Sequence, residues 1–221
     1  MSHKRRPQCC VVAGALLLTL LCNRATAADL PGPTGTGNEV SVAPLAVPPT
    51  PPLISEIRFG VLYHEDSRLR RVFFNQNKPR ERGYADINGE VLFQRPQWHF
   101  DNWLMNVLLT PRLHVSTSIN TGRGTSQASI GLAWDTYIYK TYFFEATFDL
   151  AFHNGFTGDG IPPDNRRNLG CSPLSRQSFW LGKDIDEHWR VMVGIEHLDN
   201  FHLCRADQGL SNLGARIGYR F

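Results

Sequence analysis

The last eleven residues of this chain, Ser211–Phe221, constrain its fold more than any other stretch. Leu213, Ala215, Ile217, Tyr219 and Phe221 alternate with Gly214, Arg216, Gly218 and Arg220. Strict period two gives a strand one apolar face and one polar face. A chain that ends such a strand on an aromatic residue reads as a bacterial outer-membrane β-barrel. There the apolar face meets lipid and the arginines point into the lumen.

The alternation recurs upstream. Ile57, Phe59, Val61 and Tyr63 oppose Glu56, Arg58 and Gly60, and Ile87, Val91 and Phe93 oppose Asp86, Asn88 and Glu90. Leu113, Val115, Thr117 and Ile119 alternate with Arg112, His114, Ser116 and Ser118, and Ile130, Leu132 and Trp134 with Ser129, Gly131 and Asp135. Phe144, Phe148, Leu150 and Phe152 face away from Glu145, Thr147 and Asp149, as Val191, Val193 and Ile195 do from Arg190 and Glu196. Between these last two, Leu174–Leu181 is a weak strand, because Arg176 and Ser178 break either phase. It is inferred mainly because an antiparallel barrel with both ends on one side needs an even strand count. The prediction is an all-β, eight-stranded antiparallel transmembrane barrel over residues 54–221.

A soluble sandwich or lipocalin-like barrel would point its apolar face inward. The polar face argues against that, since it gathers a dozen charges of both signs, among them Glu56, Arg58, Glu90, Arg112, Glu145, Arg190 and Arg216. Such a set fits a salt-bridged lumen, which in an eight-stranded barrel is too narrow for an open pore.

The N-terminus points to export. Lys4, Arg5 and Arg6 precede an apolar run from Val11 to Leu21, and Ala25-Thr26-Ala27 supplies small residues for cleavage. Residues 1–27 therefore read as a signal peptide. Cys22 follows a leucine, a poor lipidation context. Residues 28–53, with seven prolines and three glycines, read as an extended periplasmic linker. The whole chain carries a formal charge of +3, but the signal holds four cations and no acid, so the mature chain is near −1 and gives no sign of nucleic-acid binding. Of the five cysteines only Cys171 and Cys204 survive cleavage. In an oxidising compartment they suggest one disulfide, and both fall at the ends of links on the outer side of the barrel.

Chemistry is suggested by polar residues in the wrong phase. His197 and Asp199 continue the lipid face of the seventh strand, where polar groups are costly. Pairing across the seventh link brings Ser211 roughly opposite Asp199. A hydroxyl, an imidazole and a carboxylate then meet where outer-leaflet acyl chains begin, a set suited to ester hydrolysis. The bland alternative is three interfacial polar residues above the hydrocarbon band.

The segments GIEHLDN, ADQGLSNLG and GARIGYRF, with ISEIRFGVLYHED near the barrel start, resemble the PagL-type lipid A 3-O-deacylases. The resemblance is most specific over about the last thirty residues. It implies an outer-membrane esterase that removes a 3-hydroxyacyl chain from lipopolysaccharide, with no cofactor. It also implies that His197 is the base and Asn200 the asparagine beside the nucleophile. Two positions depart from the family: Asp199 stands where the family has its nucleophilic Ser, and Ser211 where it has Glu. The loop asparagine expected near Asp207 is missing too. Three readings follow. The site is dead and the barrel binds lipopolysaccharide or is structural; Asp199 and His197 activate water; or the roles are exchanged, with Ser211 as nucleophile and Asp199 as orienting acid.

Other patterns are weaker. His197, Asp199, His202 and Cys204 include metal-ligand types, but Cys204 is better used in the disulfide. Arg68, Arg70, Arg71, Lys78, Arg80 and Arg82 crowd the first link, where they suit either lipid A phosphates or a solvated loop relieved by Glu65, Asp66 and Glu81. The glycines of Gly155–Gly160 and of NTGRGTS lack the strand-to-helix setting of a phosphate loop.

Overall fold

The computed structural model describes residues 52–64, 81, 85–158, 160–163, 166–206 and 208–221. The expected signal peptide, nearly all of the expected linker, and the six cationic residues of the first link lie outside the described residues.

Eight strands close into one antiparallel barrel: β1 (Ile54–Tyr63), β2 (Ala85–Phe93), β3 (Arg112–Asn120), β4 (Gln127–Tyr139), β5 (Tyr142–His153), β6 (Leu174–Asp184), β7 (Trp189–Asp199) and β8 (Leu210–Arg220). The ladder closes by pairing β1 with β8, from Glu56↔Arg220 to Tyr63↔Leu213. Closure leaves no edge strand, the condition for placing a sheet in hydrocarbon. Arg58, Arg112, Glu145 and Arg216 are buried inside, whereas Phe59, Phe148 and Ile217 stand exposed outside. The transmembrane reading of the alternation therefore holds.

The interior is filled by ion pairs. Arg58 reaches Glu56 at 2.6 Å, Glu90 at 3.0 Å and Glu145 at 2.6 Å. Arg112 bridges Glu56 and Glu145, and Arg216 joins Glu90 to Glu196 while its guanidinium lies 3.8 Å from the Trp180 ring centroid. Arg176 links Asp149 to Glu196. Charges this well partnered are tolerable away from water, and they plug the lumen.

β6 is stronger than its sequence suggested. Leu174, Arg176, Ser178, Trp180, Gly182 and Asp184 all face inward and are buried. Arg176 and Ser178 thus obey the barrel's phase. The polar residues that obscured it, Ser175 and Gln177, are the outward ones.

Link two contains an element with no strand periodicity to announce it, helix α1 (Trp103–Leu109). Asn102 caps it, accepting from Leu104 N at 2.8 Å. The helix lies on β4, where Trp134 Nε1 donates to Leu108 O at 2.9 Å, and this contact half-buries the outward-facing Trp134. Trp103, Leu104, Met105, Leu108 and Leu109 remain exposed and continue the apolar belt at the end of the barrel that carries the termini. Aromatic rings gather at this end as well: Tyr219 packs on His188, Trp189 and Phe221 with centroids 5.0–5.4 Å apart.

At the opposite end, just beyond β1, His64 is fully buried against Asp86 at 2.9 Å and Glu81 at 3.5 Å. Burial disfavours its charged form, but the two carboxylates outweigh that and raise its pKa to about 9. A pKa raised above the unfolded value of about 6.5 adds stability below that pH, and the contribution disappears as pH rises through about 9. The unfolding free energies of wild type and His64→Gln should therefore differ most near about pH 6 and converge near about pH 10. A gap that stays constant across this range would contradict the assignment.

Candidate active site

Two long connections, β5–β6 (link five) and β7–β8 (link seven), fold over the loop end of β5–β8 and form the candidate site. Link five returns to place Leu169 among the inward-facing Ala151, Leu174, Leu198 and Leu210, an apolar knot that closes the barrel mouth. Arg167, also from link five, is buried and donates to the carbonyls of Gln208 and Gly209 in link seven. Asn168 N donates to Gln208 Oε1 at 2.9 Å. Asn200 Nδ2 donates to Leu169 O at 3.1 Å and Ala206 O at 2.6 Å. The expected disulfide, Cys171–Cys204, adds a covalent tie with Cα atoms 6.1 Å apart. Gly170 (φ 81°) passes so close to Ala206 O that a Cβ would lie 2.1 Å from it.

The disulfide spans 33 residues, so its loss should cost about 3–4 kcal/mol on the chain-entropy model. Unfolding of Cys171→Ser in detergent, compared with oxidised and reduced wild type, measures it. An unchanged transition would show that the loop clasp alone holds these links.

Within this clasp the candidate residues meet. His197 has the outward phase of β7 but is only 5 % exposed, because link seven crosses it at Gly209. Its Nδ1 lies 2.8 Å from Ser211 Oγ. Its Nε2 lies 3.5 Å from Asp199 Oδ2. The register puts Ser211 opposite His197 rather than opposite Asp199, because pairing of β7 with β8 ends at Leu198↔Leu210. Asp199 stands just past that ladder, and its Oδ1 accepts from Phe201 N at 2.9 Å, starting the turn that leaves β7. Asn200, expected beside the nucleophile, serves as the strut between the links described above. The metal reading fails on Cys204, whose sulfur is in the disulfide; among the described residues no cluster of three or more ligating side chains is placed for a metal.

Gly209 is the lid over the imidazole. A Cβ there would stand 3.0 Å from His197 Cε1 and 3.0 Å from Leu198 O. Gly209→Ala should therefore keep the barrel folded and shift His197, cutting any His197-dependent activity by roughly 10²-fold, the cost of about 1 Å of misplacement. Far-UV circular dichroism together with turnover would check this, and full activity would contradict the packing argument.

Beside Asp199 an apolar cleft of about 440 Å³ opens between β5, β6 and the link-seven turn. Phe148, Leu150, Leu174, Phe201 and Leu203 line it, with Ser175, Asp199 and Asn200. Its volume suits a hydrocarbon chain. Of the three candidate residues only Asp199 is among the lining residues, so it borders the space where a ligand would lie, with the buried His197 behind it and the buried Ser211 farther back.

Sequence reasoning missed Ser175 and Gln177. Their register partners are Asp199 and His197, and they are polar positions on the lipid-facing side of β6. They were visible as the same kind of phase error that exposed His197.

No protein-family model matches the chain, and no curated protein does. Among solved structures it is similar to one described as the crystal structure of the outer membrane enzyme PagL, with a TM-score of 0.51 and 14 % identity. The match covers 76 % of this chain and 100 % of that one. At that identity the likeness speaks for the fold, and the resemblance read from the sequence holds at that level: this chain has the barrel architecture of PagL.

Proposed function

We propose that this protein is an outer-membrane lipid A deacylase-like esterase, exported by a cleaved signal peptide over residues 1–27 and carrying a periplasmic linker over 28–53, in which His197 and Asp199 activate water. The observation that carries the reading is one imidazole held between Ser211 Oγ at 2.8 Å and Asp199 at 3.5 Å, beside an apolar cleft on the lipid-facing side. Polar groups on that side are costly, so their convergence asks for a function.

Ser211 Oγ accepts Nδ1–H and leaves Nε2 as the base. A water touching both Nε2 and Asp199 Oδ2 sits at the apex of a triangle whose base is their 3.5 Å separation. It attacks the ester carbonyl and gives its proton to Nε2. The tetrahedral adduct then expels the sugar alkoxide, which takes that proton, and a free fatty acid leaves. Ser211 as nucleophile is disfavoured by its burial.

The test is mass spectrometry of lipid A from cells with and without the protein. Loss of one ester-linked acyl chain supports the reading. One observation favours a second, non-catalytic lipopolysaccharide-binding role: Asp199 already has a structural task in the β7 turn. An inert wild type that gains activity on Asp199→Ser with Ser211→Glu would establish that the native site is catalytically dead.

A further inference from the structure

Along the outward face of β6, after Lys183 at the termini end, come the exposed apolar Leu181 and Phe179 and then Gln177 and Ser175. These two sit on the strand beside His197 and Asp199, in direct register: Gln177↔His197 and Ser175↔Asp199. Directly opposed residues bring their Cβ atoms within about 5 Å. Gln177 Nε2 donates to Ser175 Oγ. With that oxygen accepting a hydrogen bond from the amide, the hydroxyl proton is aimed elsewhere. Ser175 lines the apolar cleft together with Asp199, so a donor faces the place where the reacting carbonyl of a bound acyl ester would lie. Nothing in the fold requires a polar pair here, since a barrel's lipid face at these positions ordinarily takes apolar residues.

We infer that Ser175 is the oxyanion donor of this site and Gln177 the residue that positions it, with a long-chain acyl ester as the ligand. The inference rests on the hydrolytic reading above. As water bonds to the carbonyl carbon, the C=O π pair moves onto oxygen, and Ser175 O–H donates a hydrogen bond to that oxyanion without giving up its proton. The C=O bond re-forms as the bond to the sugar oxygen breaks, and the proton held by His197 goes to the departing alkoxide. Ser175 returns to its starting state. A hydroxyl fixed before the reaction stabilises charge that appears only in the transition state, which is why one such donor has a large effect.

The experiment compares wild type, Ser175→Ala, Ser175→Thr and Gln177→Leu in detergent micelles. It follows turnover on lipid A and the binding of dodecylphosphonate, an anionic mimic of the adduct, against dodecanol. Ser175→Ala should lower kcat by roughly 10²-fold with KM little changed. It should weaken dodecylphosphonate by about tenfold, as loss of one hydrogen bond to a charged group does, and leave dodecanol unaffected. Ser175→Thr should restore both, and Gln177→Leu should lower kcat by a smaller factor. An active wild type with Ser175→Ala unchanged in kcat and phosphonate binding overturns the inference and leaves the hydrolytic reading standing. An inert wild type whose phosphonate binding still depends on Ser175 overturns the hydrolytic reading and keeps Ser175 as a donor to an anionic acyl-chain ligand. Inert protein with Ser175-independent binding overturns both, and an acyl group trapped on Ser175 in intact-mass analysis overturns the donor role in favour of a nucleophile.

Discussion

Lipid A deacylation should be lost in His197→Ala, a fall of roughly 10²–10⁴-fold, the usual share of a positioned general base. Both hydrolytic routes through this site use the His197 imidazole, so this substitution tests the enzyme class. Ser211→Ala then separates the routes. With water as nucleophile, Ser211 only orients the ring through its 2.8 Å contact with Nδ1, and its loss should cost within about tenfold. With Ser211 as nucleophile the same change is fatal. Asp199→Asn keeps the turn bond to Phe201 N while removing the charge beside Nε2, so it should fall nearly as far as His197→Ala. The measurement is lipid A mass spectrometry from cells holding equal amounts of each folded variant. Wild-type rates in His197→Ala would end the assignment of His197 as the base.

What the sequence disclosed and what it hid divide along a physical line. Strands advertise themselves locally, because lipid outside and ion pairs inside impose period two on every crossing; seven of eight were readable for that reason. β6 was blurred because Ser175 and Gln177 are polar on the side where lipid-facing strands are apolar; they pair with Asp199 and His197 of the candidate site. The break in the pattern was therefore the signal, as it was at His197 and Asp199. Helix α1 was hidden because its apolar residues point at the bilayer boundary in a link that the strand rule treats as a simple turn.

The clasp over His197 was illegible for another reason. Arg167 to Gln208 and Gly209, and Asn200 to Leu169, join residues 31 to 42 apart that share no periodicity. Only Cys171 and Cys204 marked that long-range contact chemically. The register error at Ser211 has the same root: hairpin pairing across link seven depends on how many residues the turn Asn200–Leu203 and the clasp consume, so the cross-strand neighbour fell two places from the expected one. His197, Asp199 and Ser211 are nonetheless brought together, and each is polar where the phase demands an apolar side chain.

The largest effect on stability should come from Arg58→Leu. Arg58 is fully buried and gives its three-way contacts to Glu56, Glu90 and Glu145 from the middle of the lumen. Removing one partner from a buried ionic network leaves uncompensated charge, at a cost of about 3–5 kcal/mol. Remaining cations soften this: Arg112 and Arg190 still reach Glu56, Arg112 still reaches Glu145, and Arg216 and His114 still reach Glu90. The double variant Arg58→Leu with Glu145→Gln removes one carboxylate with its cation and should recover a substantial part of the loss. Urea unfolding in lipid vesicles, followed by Trp fluorescence, measures both. If Arg58→Leu unfolds like wild type, the lumen network does not hold the barrel closed. If the double variant is less stable than the single one, the loss came from hydrogen bonding at Glu145 and not from its uncompensated charge.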